Sequence, residues 1–245
     1  MDPYDVLLLV GGGLAAGVVN TLAGGGSLIT VPLLVLAGVP GNVANGSNRI
    51  GILTSNLSAI AAFRRLGVSG ASEAGRVLVP VAIGSLIGAL AISRLADETF
   101  ERIFGIIMIP FLLLSLRPPK VEAVGEQPWS GIFTMLIFLG VGLYGGAFQV
   151  GIGILLTVTL ARSGMDLVVA NSVKVMVSLV VTVFALPVFL LSGRVDWGPA
   201  LVLAAGFAVG GALGARLTVT GGALLIRPVM GAAVLALAGR LLGLF

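Results

Sequence analysis

The sequence predicts an all-α polytopic membrane protein, and three observations carry that prediction. The 245-residue chain is 58% hydrophobic and only 10% charged, where an ordinary soluble domain carries about 25% charged residues. Its apolar stretches approach the roughly 20 residues that cross a bilayer as one helix. They also lack the period-two alternation of a membrane β-barrel strand, which sets a barrel aside.

Charge, proline and glycine divide the chain into apolar segments at 5–22, 27–38, 43–66, 75–95 and 98–116, then 131–148, 151–163, 169–191, 197–217 and 222–243. The start MDPYDVLLL has no basic region like that of a signal peptide, so the first segment reads as a retained helix. Between the two sets lies a polar linker, residues 117–130, which separates a first transmembrane repeat, 1–116, from a second, 131–245. The halves share a register: Ala44-Asn45 recurs as Ala170-Asn171, and Gly67, Gly84, Gly88 and Gly105 recur at the same offset as Gly193, Gly210, Gly214 and Gly231. About five segments per half is an odd number, so the second half enters with the opposite orientation. The expectation is two inverted repeats, the plan of many secondary transporters.

The basic residues orient this plan. With Arg64, Arg65 and Arg76 cytoplasmic, alternation also places Arg117, Lys120, Arg162, Arg216 and Arg227 inside, against Arg94, Arg102, Arg194 and Arg240 outside. That bias follows the positive-inside rule and puts both termini outside. The net charge of +4 is therefore an orientation signal, and nucleic acid is not a partner. With no Cys and no His, the chain offers no disulfide, no thiolate and none of the usual transition-metal ligands. No metal or cofactor is expected, and the nucleophile–base pair of an enzyme is missing.

The second segment, 27–38, spans roughly 18 Å at 1.5 Å per residue, little more than half of a ~30 Å hydrocarbon core. It reads as a broken or re-entrant helix that begins near the midplane at Gly24, Gly25 and Gly26. Gly151 and Gly153 precede a similarly short segment in the second half. Irregular backbone at that depth must be covered by protein or line a wet cavity. A helix opening there, with Ser27 as its N-cap, turns its positive end toward the cavity, which suits an anion. The alternative role of such glycines is close helix packing, which fits Gly84-x-x-x-Gly88 and Gly210-x-x-x-Gly214 better.

Polar residues inside the apolar segments are costly and mark functional candidates. Arg49 and Lys174 fall at nearly the same position of the repeated helix; each either serves the cavity or snorkels to the interface. Asn20, Thr21, Asn45, Asn48, Gln149 and Asn171 either line the same cavity or hydrogen-bond neighbouring helices. All ten carboxylates fall at segment ends or in loops. A site with donors and positive charge but no acid favours an anion over a cation.

The stretches GVVNTLAGGGSLITVPLLVLAGVP and ANGSNRIG, with a looser second copy FQVGIGILLTVTLARSGMDLVVANSVK, resemble the TauE/SafE family of sulfite exporters, also called toluenesulfonate uptake permeases. The likeness extends over nearly the whole chain. It implies a carrier in the cytoplasmic membrane of a prokaryote for sulfite, organosulfonates or related sulfur-containing anions. By position, Gly24, Gly25, Gly26, Pro32, Asn45 and Gly51 match the first family motif, and Gly151, Gly153 and Asn171 the second. An inside-negative potential favours anion exit by about 2.3 kcal/mol per charge per 100 mV, so export by alternating access is the expected activity. Ion-coupled uptake and a passive anion channel are the alternatives, and homo-oligomerisation is left open.

Overall fold

A computed structural model describes residues 1–75, 77–116, 131–161 and 167–241, with the backbone alone at 111–116, 157–158, 161, 167 and 222–241. Arg76, the expected linker 117–130 and residues 162–166, with Arg117, Lys120 and Arg162, lie outside the described residues. The described elements are helices: α1 (Pro3–Ala23), α2 (Ser27–Leu36), α3 (Gly41–Arg65), α4 (Ala71–Gly75), α5 (Leu78–Ile92), α6 (Asp97–Leu116), α7 (Gly131–Ala147), α8 (Ile152–Ala161), α9 (Leu167–Leu191) and α10 (Trp197–Leu241).

The protein is an all-α polytopic membrane protein. Three stretches, Pro3–Ala23, Val168–Leu191 and Trp197–Gly221, are long and apolar enough to cross a bilayer by length and composition. Helix α3 is long enough but carries Asn42, Asn45, Asn48, Arg49 and Asn56, all buried. The outward faces of α5, α7 and α10 instead expose Ile83, Ile87, Ile132, Phe133, Leu136 and Leu201. Polar inside and apolar outside is the reverse of a soluble helix bundle, and only lipid makes that surface favourable.

Two expected boundaries differ. The 75–95 segment is narrowed to α5, Leu78–Ile92, behind a short α4 that ends at Gly75, and Pro80 lies in the first turn of α5, where its missing N–H costs nothing. The last two segments, 197–217 and 222–243, fall on one helix, α10, which runs through Gly221 and Gly222. Just before them, Thr218 and Thr220 donate back to the carbonyls of Gly214 and Arg216 one turn earlier, as threonine does inside a helix.

Glycine sets how the helices meet. A Cβ on Gly84 or Gly88 of α5 would enter the α7 backbone at Leu139 and Leu143, and one on Gly142 or Gly146 of α7 would enter α5 at Val81 and Ser85. The mirror arrangement joins α1 to α10: Gly13 and Gly17 face Leu203 and Phe207, while Gly206, Gly210 and Gly214 face Val10, Leu14 and Val18. Close backbone approach through small residues drives association where no hydrophobic effect operates between helices. The glycine pairs expected to pack do so within this chain. Each half thus lends its fourth segment to the first helix of the other.

Helices α3 and α9, 25 residues each, cross antiparallel. Gly46 lies against Phe189 and Arg194, Asn56 bonds Ser178, Phe63 clusters with Val175, and Gly70 meets Val173 and Val169. As one number rises the other falls. This crossing sets Asn56 of α3 against Ser178 of α9, with Arg49 and Lys174 buried in the same interior.

Candidate functional site

Each half holds a helix break, and the two breaks touch. Helix α1 ends at Gly24, whose φ of +81° is the left-handed conformation that glycine adopts without strain. Its N–H returns to the carbonyls of Asn20 and Val19. The second break carries Gln149 at φ +62° and Gly151 at φ +63°. A Cβ on Gly24 would overlap the Cα of Gly153, and one on Gly153 the Cα of Gly24. Gly26 is pressed against the Ala16 carbonyl and the Asn20 side chain. Both glycine groups are therefore required by contact as well as by conformation.

The N-terminus of α2 departs from the expected cap. Gly26, with φ −54° and ψ −40°, is the N-cap, and no side chain caps it. Ser27 lies within the first turn, and its Oγ accepts from Asn48 Nδ2 at 3.0 Å. Asn48 Oδ1 in turn accepts from Thr30 at 2.5 Å, so one buried amide fastens α2 to α3. Among the described residues, the N–H groups of Gly25, Gly26 and Ser27 find no acceptor.

The two interior cations close the C-terminal ends of the broken helices, each from the opposite half. Arg49 of α3 donates to the α7 carbonyls of Gly145 (3.3 Å), Gly146 (2.6 Å) and Ala147 (3.1 Å), and to Gln149 Oε1 (2.7 Å). Its guanidinium also lies 4.4 Å from the Phe189 ring centroid, a cation–π contact. Lys174 of α9 donates to the α1 carbonyl of Thr21 at 2.7 Å. Positive charge suits these positions, because the unpaired carbonyls of a helix end carry partial negative charge. Both side chains are fully buried, which excludes snorkelling. Neither forms an ion pair among the described residues.

The described acids stand apart from this interior. Asp97 accepts from the Asn42 N–H and pairs with Arg194 at 3.1 Å, and Glu101 accepts from the Gly41 N–H, so both serve the N-terminus of α3. No group of three or more acids among the described residues could hold a metal ion.

The remaining candidates divide. Asn45 donates to the Ala147 carbonyl beside Arg49, and Asn20 donates to Asn56 beside the first break. Thr21 presents its carbonyl to Lys174 and its hydroxyl to Gly211. Asn171 is not part of this group: it bonds Thr218 on α10. Sequence reading did not select Ser178 and Thr182 as site residues, yet both are buried at the centre. Their signal was available, since Lys174, Ser178 and Thr182 recur every fourth residue and so share one face of a helix.

Broken helices, buried cations without acids and a lipid-facing apolar surface define the class: a membrane transporter. The family model for sulfite exporter TauE/SafE matches residues 9–241, and the chain belongs to that family. It is 29% identical to a "Probable membrane transporter protein" of Haemophilus influenzae over 94% of this chain and 91% of the relative. It is 30% identical to "Probable membrane transporter protein ORF9" of a Sinorhizobium species, over 93% and 88% of the two chains. It is also 30% identical to "Probable membrane transporter protein YfcA" of Escherichia coli K12, over 89% and 82%. No solved structure matches the chain.

Proposed function

We propose that the protein exports sulfite, an organosulfonate or a related small sulfur-containing anion across the cytoplasmic membrane of a bacterium. The halves act as inverted repeats that rock about their crossing and expose it to each side in turn. The single observation that carries this reading is the pair of fully buried cations, Arg49 and Lys174, with no carboxylate partner among the described residues. Burying unpaired charge costs several kcal/mol per ion, and an anionic substrate repays part of it while bound. The antiparallel crossing of α3 and α9, and the exchange of helix contacts between halves, support the inversion. The family name and bacterial relatives support sulfite or a sulfonate as cargo and a bacterial membrane as the site.

Purified protein in liposomes loaded with radiolabelled sulfite provides the test. Efflux is expected to saturate with concentration and to rise when the lumen is made negative. Sulfite efflux no faster than from empty liposomes would overturn the assignment of cargo.

A further inference from the structure

Two hydrogen-bonded runs of buried uncharged side chains, one starting at Arg49 and one beside the Thr21 carbonyl that holds Lys174, meet at Ser178, the first at its backbone carbonyl and the second at its hydroxyl. From Arg49 Nη1 the first passes to Gln149 Oε1 (2.7 Å), from Gln149 Nε2 to Thr182 Oγ1 (3.1 Å), and from that hydroxyl to the Ser178 carbonyl (2.8 Å). From the other side, Asn20 Nδ2 donates to Asn56 Oδ1 (3.5 Å) and Asn56 Nδ2 to Ser178 Oγ (3.1 Å). Asn20 adjoins Thr21, whose carbonyl holds Lys174. Every side chain on this route is buried. The two runs of donors converge on Ser178, whose hydroxyl donates to no acceptor among the described residues.

Structural need does not account for these runs. Helices in lipid associate through small residues and packing, and the glycine contacts of α1 with α10 and of α5 with α7 already supply that. A buried polar seam is a liability unless every group is paired. Among the described residues, Arg49 Nε and Ser55 Oγ have no partner, as is also true of Asn42 Oδ1, Asn45 Oδ1 and Ser172 Oγ. Ser55 lies toward the first break, since Gly211, which accepts from Thr21, packs against its backbone. Unpaired polar atoms therefore occur near both ends of the seam.

We propose that this seam, Gln149–Thr182–Ser178–Asn56–Asn20, is the path along which the substrate moves between Arg49 and Lys174. The ligand it fits is a small oxyanion, whose oxygens accept from amide and hydroxyl donors in turn while a cation waits at either end. The inference rests on the transporter reading and adds to it the route, its neutral residues and a two-cation relay.

The absence of native cysteine makes the test clean. Ser178→Cys and, separately, Thr182→Cys are reconstituted and exposed to a methanethiosulfonate bearing a sulfonate, and to its trimethylammonium counterpart. Mass spectrometry of the intact protein reads modification. Val183→Cys, half-exposed on the lipid-facing side of the same helix, serves as control. The anionic reagent is expected to modify Cys at 178 or 182 about tenfold or more faster than the cationic one, since focused charge changes encounter rates on that scale. The Val183→Cys control should stay unmodified. Equal rates for the two reagents, or no modification at either position, overturn the path. The result is independent of cargo: sulfite efflux by wild type with unmodified Cys at both positions sinks the route alone. Charge-selective modification without sulfite efflux sinks the cargo and leaves the route standing.

Discussion

The two helix breaks do the same job with different chemistry. The first relies on backbone freedom: three glycines, one of them left-handed, with a single bond from Lys174 to the helix end. The second adds side chains to a left-handed glycine of its own, Gly151. Gln149 holds a left-handed backbone that a non-glycine residue adopts at a cost of order 1–2 kcal/mol. Tyr144 clips the turn by donating to the Val150 carbonyl, and Arg49 meets four acceptors. The two breaks share one geometry, a broken helix closed by a cation from the other half, built from different residues. The Lys174 break is held by one bond and the Arg49 break by four, so the first is the easier to open.

The contact between the breaks is the place to disrupt the comparison most severely. Gly153→Ala should cost about 1–3 kcal/mol or more, as overpacking against rigid backbone does, and Gly24→Ala should cost more still because positive φ adds strain. Thermal unfolding in detergent reads both, and Gly24→Ala should also abolish efflux. Next comes the cation asymmetry. Arg49→Gln should lower stability by more than Lys174→Gln, since each buried acceptor it leaves short costs about 1–3 kcal/mol, only partly offset by removal of an unpaired buried charge. Lys174→Gln removes one bond and should cost about 1–3 kcal/mol. Equal losses would contradict the difference between the breaks.

Gln149→Gly sharpens the comparison further. It makes the second break resemble the first, so relief of backbone strain offsets part of the lost bonds to Arg49 and Thr182. Stability should fall by less than in Gln149→Ala, which keeps the strain, while efflux drops in both. The smallest effect is expected at the α3 entrance: a double-mutant cycle on Arg194 and Asp97, a partly exposed pair, should give a coupling of about 0.2–1 kcal/mol.

The first break was legible in the sequence because three consecutive glycines and a short apolar segment leave few other readings. Arg49 and Lys174 were legible as charges in apolar runs. Their destination was not, because the carbonyls they close belong to helices about a hundred or more positions away, and no local pattern records that pairing. Ser27 was misread as a cap because Gly26 takes that position and Asn48 claims the hydroxyl. The boundary read between 197–217 and 222–243 is absent because glycine breaks a helix only weakly, by about 1 kcal/mol, and α10 continues through Gly221 and Gly222. Ser178 and Thr182 passed as ordinary members of an apolar helix, since small hydroxyls can bond back to their own backbone without a penalty visible in composition.

Where an anion sits decides the account most directly. Selenite, a heavier analogue of sulfite, can be bound to crystals of the protein and located by the anomalous signal of selenium. The account predicts a selenium peak within hydrogen-bonding reach of Arg49 or Lys174, or along the seam between them. A bound selenium found only at the surface, with the Gly24–Gly153 crossing empty, would contradict it.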